Sequence, residues 1–224
     1  MKQLFDGEFA PTTSGFALLR VSFASLVDTY AAWARGNHPQ LIVSHTPKSL
    51  RDALEQMGPL TMPATRELLA GTVGEWTALM SNGLTNDSYA RVAYWAPRLG
   101  VDAVAFDCKP DEKDDEPHGP RVRYRSIQIQ VFERGKLRRT LGSVRDGNRW
   151  VFLNEGTPFL VETPAKYSAR SVRSRVAACD ILAILNCLDA PYDERLYSGP
   201  FLMMSTNRSA LRSLSYREAR LEMS

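Results

Sequence analysis

Apolar and polar positions alternate along much of the chain with periods that name the elements. The run "GFALLRVSF", Gly15 to Phe23, reads as a strand, and "ASLVDTYAAWARG" continues as a helix closed by Gly36. "QLIVSHT" is a short apolar strand. A helix follows it, with Thr46 as N-cap, Pro47 at the first helical position, and Leu50, Leu54 and Met57 on one face. Gly58-Pro59 ends that helix, and "PLTMPAT" is a connection. "RELLAGTV" and "EWTALMS" flank Gly74 as a hairpin. The polar patch "SNGLTND" then leads into a helix with Tyr89, Val92, Ala93, Ala96 and Leu99 at helical spacing. Asn86 or Asp87 caps its start and Gly100 its end; Pro97 inside it predicts a kink or an early stop. "VDAVAF" is a further strand.

The second half changes character. Lys109 to Pro120 holds three prolines and no apolar side chain, so a flexible acidic loop is expected over 109–120. Three strands then form a meander: Val122–Phe132, Leu137–Val144 and Arg149–Leu153, turned at "ERGK" and at "RDGN". The apolar phase shifts between Tyr124 and Ile127, which a bulge near Arg125-Ser126 would reconcile. "NEGTPFLVETPAKYSARS" is a turn-rich connection. "VRSRVAACDILAILNCL" reads as one helix with Val172, Val176, Cys179, Leu182 and Ala183 buried. Residues 192–224 carry few apolar anchors and are expected to be a loosely attached tail ending in an amphipathic helix. Hairpin-linked strands with segregated helices predict an α+β fold: a mainly antiparallel sheet, helices packed on one face, and a three-stranded C-terminal meander. At 224 residues the chain suits a single domain, with residues 1–60 either part of it or an N-terminal lobe.

Composition excludes some classes. No apolar run approaches ~18 residues, so no membrane partner is expected. The start "MKQLFDGEFAP" lacks a secretory apolar core, and three cysteines without metal spacing suit a reducing cytoplasm. Net charge is only +3, but it is unevenly spread. Asp111, Glu112, Asp114, Asp115 and Glu116 crowd one loop, while the meander carries Arg123, Arg125, Arg138 and Arg139. Together these form the candidate partner-binding surface, because opposed charge steers association. The plain alternative is that arginines alternate outward on solvated strands.

Catalytic signatures are weak. His38, His45 and His118 form no zinc motif, and the acidic loop lacks calcium-loop spacing, so neither a metal nor a cofactor is expected. Cys108 ends a strand near His118 but has no evident orienting group; Cys179 and Cys187 read as buried on a helix. Three readings stand. One is a non-enzymatic binding protein that occludes a protein partner. Another is a nucleic-acid-binding module on the basic sheet face. The third is a small-molecule enzyme with a pocket near Trp76, Asn82, Asp87 and Trp95. The stretch Gly74 to Val176 resembles a group of uncharacterised bacterial proteins. The matching positions are Trp76, Thr77, Ala78, Asn82 and Gly83, then Trp150, Phe152, Gly156 and Pro158. Proteins of that group stand beside toxin or competition genes, so the resemblance implies an immunity- or antitoxin-type role with a toxin as partner.

Overall fold

The structure, a computed structural model, describes residues 4–37, 40–45, 48–84, 88–109, 112–114, 121–123, 126–146 and 149–223. Its first half runs β1 (Ala17–Arg20), α1 (Phe23–Asn37), β2 (Ile42–His45), α2 (Leu50–Met57), β3 (Leu60–Met62), β4 (Arg66–Gly71), β5 (Trp76–Ser81), α3 (Ser88–Leu99) and β6 (Ala103–Cys108). Its second half runs β7 (Glu112–Asp114), β8 (Arg121–Arg123), β9 (Ile127–Glu133), β10 (Lys136–Asp146), β11 (Arg149–Gly156), α4 (Ala178–Cys187), β12 (Phe201–Ser205), β13 (Arg212–Leu214) and α5 (Tyr216–Met223).

Nine strands form one sheet in the order β11-β10-β9-β6-β1-β5-β4-β12-β2, and every neighbouring pair is antiparallel. The α+β class, the antiparallel sheet and the meander are therefore present. The helices, expected on one face, divide between two. Leu26, Tyr30 and Ala34 of α1 and Val92, Trp95 and Ala96 of α3 pack on Ala17, Leu19, Leu79, Ala103 and Ala105. Leu50, Leu54 and Met57 of α2 and Ile181, Ile184 and Leu185 of α4 pack on Leu18, Leu68, Ala78, Val104 and Ile129. Successive residues of a strand point to opposite faces, so a strand between two helical layers must be apolar at every position. The strand β6 is buried throughout, and its central "AVAF" carries no polar residue.

Local signals set the boundaries. Ser49, not Thr46, caps α2, its side chain accepting from Asp52 N at 3.2 Å; Thr46 and Pro47 lie outside the described residues. The α3 helix passes Pro97 and ends at Leu99, with Gly100 at a φ of 65° as its C-terminal stop. The "ERGK" turn has Arg134 and Gly135 at φ 48° and 77°, the two positive values a two-residue hairpin turn requires. Asp146 pairs with Arg149 across the second turn. The bulge expected near Arg125-Ser126 falls on a segment whose residues 124 and 125 are not described. A register shift lies instead on β10, between Leu137 and Arg139.

Three expectations change. Part of the acidic loop is ordered as backbone: β7 pairs with β8, Glu112 opposite Arg123 and Asp114 opposite Arg121. The single helix expected over 172–188 is a 3-10 turn at Val172–Ser174 followed by α4, whose start is held by Ala177 N on Asp180 Oδ2 at 2.9 Å. The tail is not loosely attached. Its β12 lies inside the sheet between β4 and β2, with Phe201, Leu202, Met203 and Met204 buried on the two faces. Burying four large apolar side chains contributes roughly 1.5–3 kcal/mol each, comparable in sum with the whole stability of a domain. Deleting residues 200–224 is therefore expected to abolish cooperative unfolding, checked by circular dichroism during a urea titration. A truncated chain that melts like the full one would refute this placement.

Candidate functional site

The proposed arginine surface separates into parts. Arg139 does not face solvent: both its side chain and that of Glu162 are fully buried. The register explains this. Arg139, Leu141 and Ser143 stand opposite Val131, Ile129 and Ile127, all of which point into the core beneath α4. The guanidinium reaches Glu162 through Nε at 2.9 Å and Nη2 at 2.6 Å, and Nη1 donates to Asn154 Oδ1 at 2.8 Å and Glu155 O at 2.9 Å. Glu162 also accepts from Phe159 N at 2.8 Å and from the Tyr167 hydroxyl. Burial pushes against both charges. For Glu162 the Arg139, Tyr167 and Phe159 hydrogen bonds outweigh it, and the carboxyl is held below its usual range. For Arg139 burial is likewise outweighed by Glu162, so the guanidinium stays charged. Burial first, and the Glu162 carboxylate second, push the Tyr167 hydroxyl up to about 12.

This pair shapes a surface. Phe159 N bonds Glu162 Oε1, and Glu162 N returns to Phe159 O at 3.0 Å, closing a tight turn. Leu160 and Val161 occupy its corners, 103% and 43% exposed. Turn corners are usually polar, because they meet water from several sides. Gly156, which precedes the turn, has φ 83°, and a Cβ there would meet Arg138 O at 1.9 Å, so no other residue fits. Arg138 stacks over Phe159 of this turn at 4.2 Å; farther along β11, Arg175 stacks over Phe152 at 5.1 Å and Arg173 over Trp150 at 5.5 Å. Arg170 is exposed beside them in sequence. Arg173 and Arg175 fall in the expected helix and Arg170 in the connection before it, and the signal for all three is the basic rhythm of "SARSVRSR". Glu162 had a signal too, an isolated acid behind the apolar "PFLV".

Arg138 is half-exposed, with Nη1 3.4 Å from Glu133 Oε2. Arg123, Glu112 and Asp114 lie in β8 and β7 and are described in backbone only, while Asp111, Asp115, Glu116 and Arg125 lie outside the described residues, as does Asp87. The expected charged surface is thus visible at Arg138 and corrected at Arg139.

The expected pocket does not assemble. Trp76 opens β5 and Asn82 follows its last residue, a separation of about 20 Å along the strand. Trp76 belongs to the core beneath α4, whereas Trp95 packs on the opposite face, its ring 5.1 Å from Tyr30 and 5.5 Å from Trp33. Asn82 is fully committed elsewhere. Its Oδ1 accepts from Thr65 N at 2.9 Å and Arg66 N at 2.8 Å, and its Nδ2 donates to Pro59 O at 2.8 Å and Thr65 Oγ1 at 3.2 Å. Those four bonds use every donor and lone pair of the amide. Asn82 therefore staples the β3–β4 connection to the end of β5.

The thiols are also redistributed. Cys108 is buried, and burial followed by the Asp107 charge pushes it up to about 12, which favours the thiol over the thiolate. Cys179 and Cys187, expected inside, are exposed. Among the described residues, no group of three or more His, Cys, Asp or Glu side chains could hold a metal ion. No helix among them is long and apolar enough to cross a membrane.

Two measurements follow from this geometry. Arg139→Met strands a buried carboxylate and should cost about 3–5 kcal/mol in urea unfolding, and Arg139→Met with Glu162→Met should recover most of it. Because Glu162 is depressed in the folded state, its contribution is present above the free-glutamate pKa of about 4.3 and fades as pH falls through the lower folded value. Equal losses in the single and double variants would refute the pairing. In a thiol titration of the native protein with an aromatic disulfide, Cys179 and Cys187 should react promptly and Cys108 only after denaturation. Rapid reaction of all three cysteines would contradict the burial of Cys108.

No known protein family, curated protein or solved structure matches the chain.

Proposed function

We propose that the chain is a non-enzymatic binding protein of immunity or antitoxin type, which occludes a protein partner through the Leu160-Val161 corner and the arginine ridge beside it. The observation that carries this reading is an apolar corner held rigid from within. Leu160 and Val161 are displayed to solvent by a turn whose base is the buried Glu162–Arg139 pair. An apolar anchor fixed before encounter loses little entropy on binding, which is where much of the cost of association lies. The fully buried core of an interface is more apolar than the surrounding surface and its rim is polar, so the corner suits the first and the arginines the second. Arg138, Arg170, Arg173 and Arg175 make the rim basic, so the complementary partner carries an apolar socket ringed by carboxylates.

A second reading rests on the stacks of Arg173 on Trp150 and Arg175 on Phe152. Guanidinium and aromatic groups side by side are what a single-stranded nucleic acid uses, for its phosphates and its bases.

The two readings separate in one experiment. Tagged wild-type protein and Leu160→Asp are used to recover partners from the cells that make them, at low and at raised salt. An acidic protein partner held by the wild type and lost by Leu160→Asp, with unchanged melting of the variant, supports the first reading. Recovery of nucleic acid that weakens steeply with salt, survives Leu160→Asp and is lost in Arg173→Glu supports the second. Recovery of no stoichiometric protein partner sinks the first.

A further inference from the structure

A cavity of about 210 Å³ opens where β1, β5, β6 and β9 end, beneath the last turn of α4. It is far larger than the ~15 Å³ that one ordered water requires. Its apolar walls are Trp76, Val104, Val131 and Leu188. Its polar groups are Arg20 and Arg138 on one side of the charge balance and Asp102, Glu133 and Asp189 on the other. Trp76, expected to face a pocket with Asn82, thus lines one with Arg138 instead.

Three features show that this space is suited to a ligand. The indole Nε1 of Trp76 is buried and makes no hydrogen bond among the described residues. Buried indole N–H groups normally find an acceptor, and one left unmade costs stability. The guanidinium of Arg20 lies over the Trp76 ring at 5.5 Å, and its contacts to Glu75 and Asp102 are long, 3.2 and 3.7 Å. Arg138 likewise meets Glu133 at 3.4 Å. Pairs this loose can be traded for a ligand group at closer range.

The charge arrangement narrows the ligand. A simple anion would meet three carboxylates and the carbonyl end of α4, and a simple cation would meet two guanidinium groups. A molecule carrying both charges meets neither penalty. We infer that the cavity binds a small zwitterion with an apolar side group, of the size of free leucine or phenylalanine. Its carboxylate accepts from the Trp76 indole and from Arg20 or Arg138. Its ammonium faces Glu133 and Asp189. Its side group fills the space among Val104, Val131 and Leu188. This site is independent of the protein-partner reading and stands or falls without it.

Isothermal titration of the full chain with L-leucine and L-phenylalanine tests the inference. Saturable binding of at least one is expected. The analogues that lack one charge, 3-methylbutylamine and 4-methylpentanoate for leucine, phenethylamine and 3-phenylpropanoate for phenylalanine, should bind at least about tenfold more weakly, because one charged pairing is lost. Trp76→Phe, which removes the N–H and keeps an aromatic ring, should weaken binding by about the same factor. Should that variant melt early, Leu188→Trp provides the check: it fills the cavity from its rim and should abolish binding while melting as the wild type does. Absence of binding at millimolar concentrations overturns the inference, as does equal affinity for the singly charged analogues or unchanged affinity in both cavity variants.

Discussion

A sheet covered by helices on both faces leaves its polar side chains few places to go. They can sit at strand ends or sheet edges, where water reaches them, or in the interior with every hydrogen bond made. Breaking a buried ion pair costs about 3–5 kcal/mol, and a domain holds only about 5–15 kcal/mol in all, so one error of that kind is nearly fatal. Two buried residues show how that constraint is met. Asn82 is buried with all four amide positions used. Arg139 is buried with Glu162, Asn154 and the Glu155 carbonyl around it. Arg20, Asp102, Glu133 and Arg138 instead gather at the strand ends around a cavity.

The Arg139–Glu162 pair turns that constraint into a surface. To satisfy the guanidinium, the chain leaving β11 must fold back over the sheet, and only Gly156 can pass Arg138 O closely enough to begin that return. The turn that brings Glu162 inward necessarily puts the intervening Leu160 and Val161 outward. The exposed apolar corner is thus a geometric consequence of the buried pair. Replacing either charge would loosen the corner as well as the core. A pair of this kind gives little net stability over an apolar substitute of similar volume, so its value here lies in fixing where the corner stands.

The sequence made the elements legible wherever one face alone decided them. The alternation in "IQIQVF" marks β9, whose Ile127, Ile129 and Val131 are buried and whose glutamines are half-exposed. The glycine signals at "ERGK" and "RDGN" placed both meander turns. The two-sided packing was written in "AVAF" of β6 but was read only as a strand, because an apolar run does not say which layers cover it. The strand β12 was missed because "FLMMS" is five residues long and pairs with β4, more than a hundred residues away. Long-range pairing leaves no local mark. For the same reason Arg139 looked like any strand arginine: its partner Glu162 is 23 residues on, and parity alone could not place either inside. Arg138, at the β10 irregularity one position away, stays half-exposed at the strand end, where it reaches Phe159 and Glu133.

Arg138 also joins the two proposed sites. Its guanidinium stacks on Phe159 at the base of the Leu160-Val161 turn while its side chain lines the cavity with Glu133. Both roles fall on one half-exposed guanidinium, 3.4 Å from Glu133. The buried arginine beside it is held more closely, meeting Glu162, Asn154 and the Glu155 carbonyl at 2.6 to 2.9 Å. Successive arginines of β10 therefore differ in role: Arg139 is fixed inside and sets where the turn stands, while Arg138 stays at the strand end, where water and the cavity both reach it.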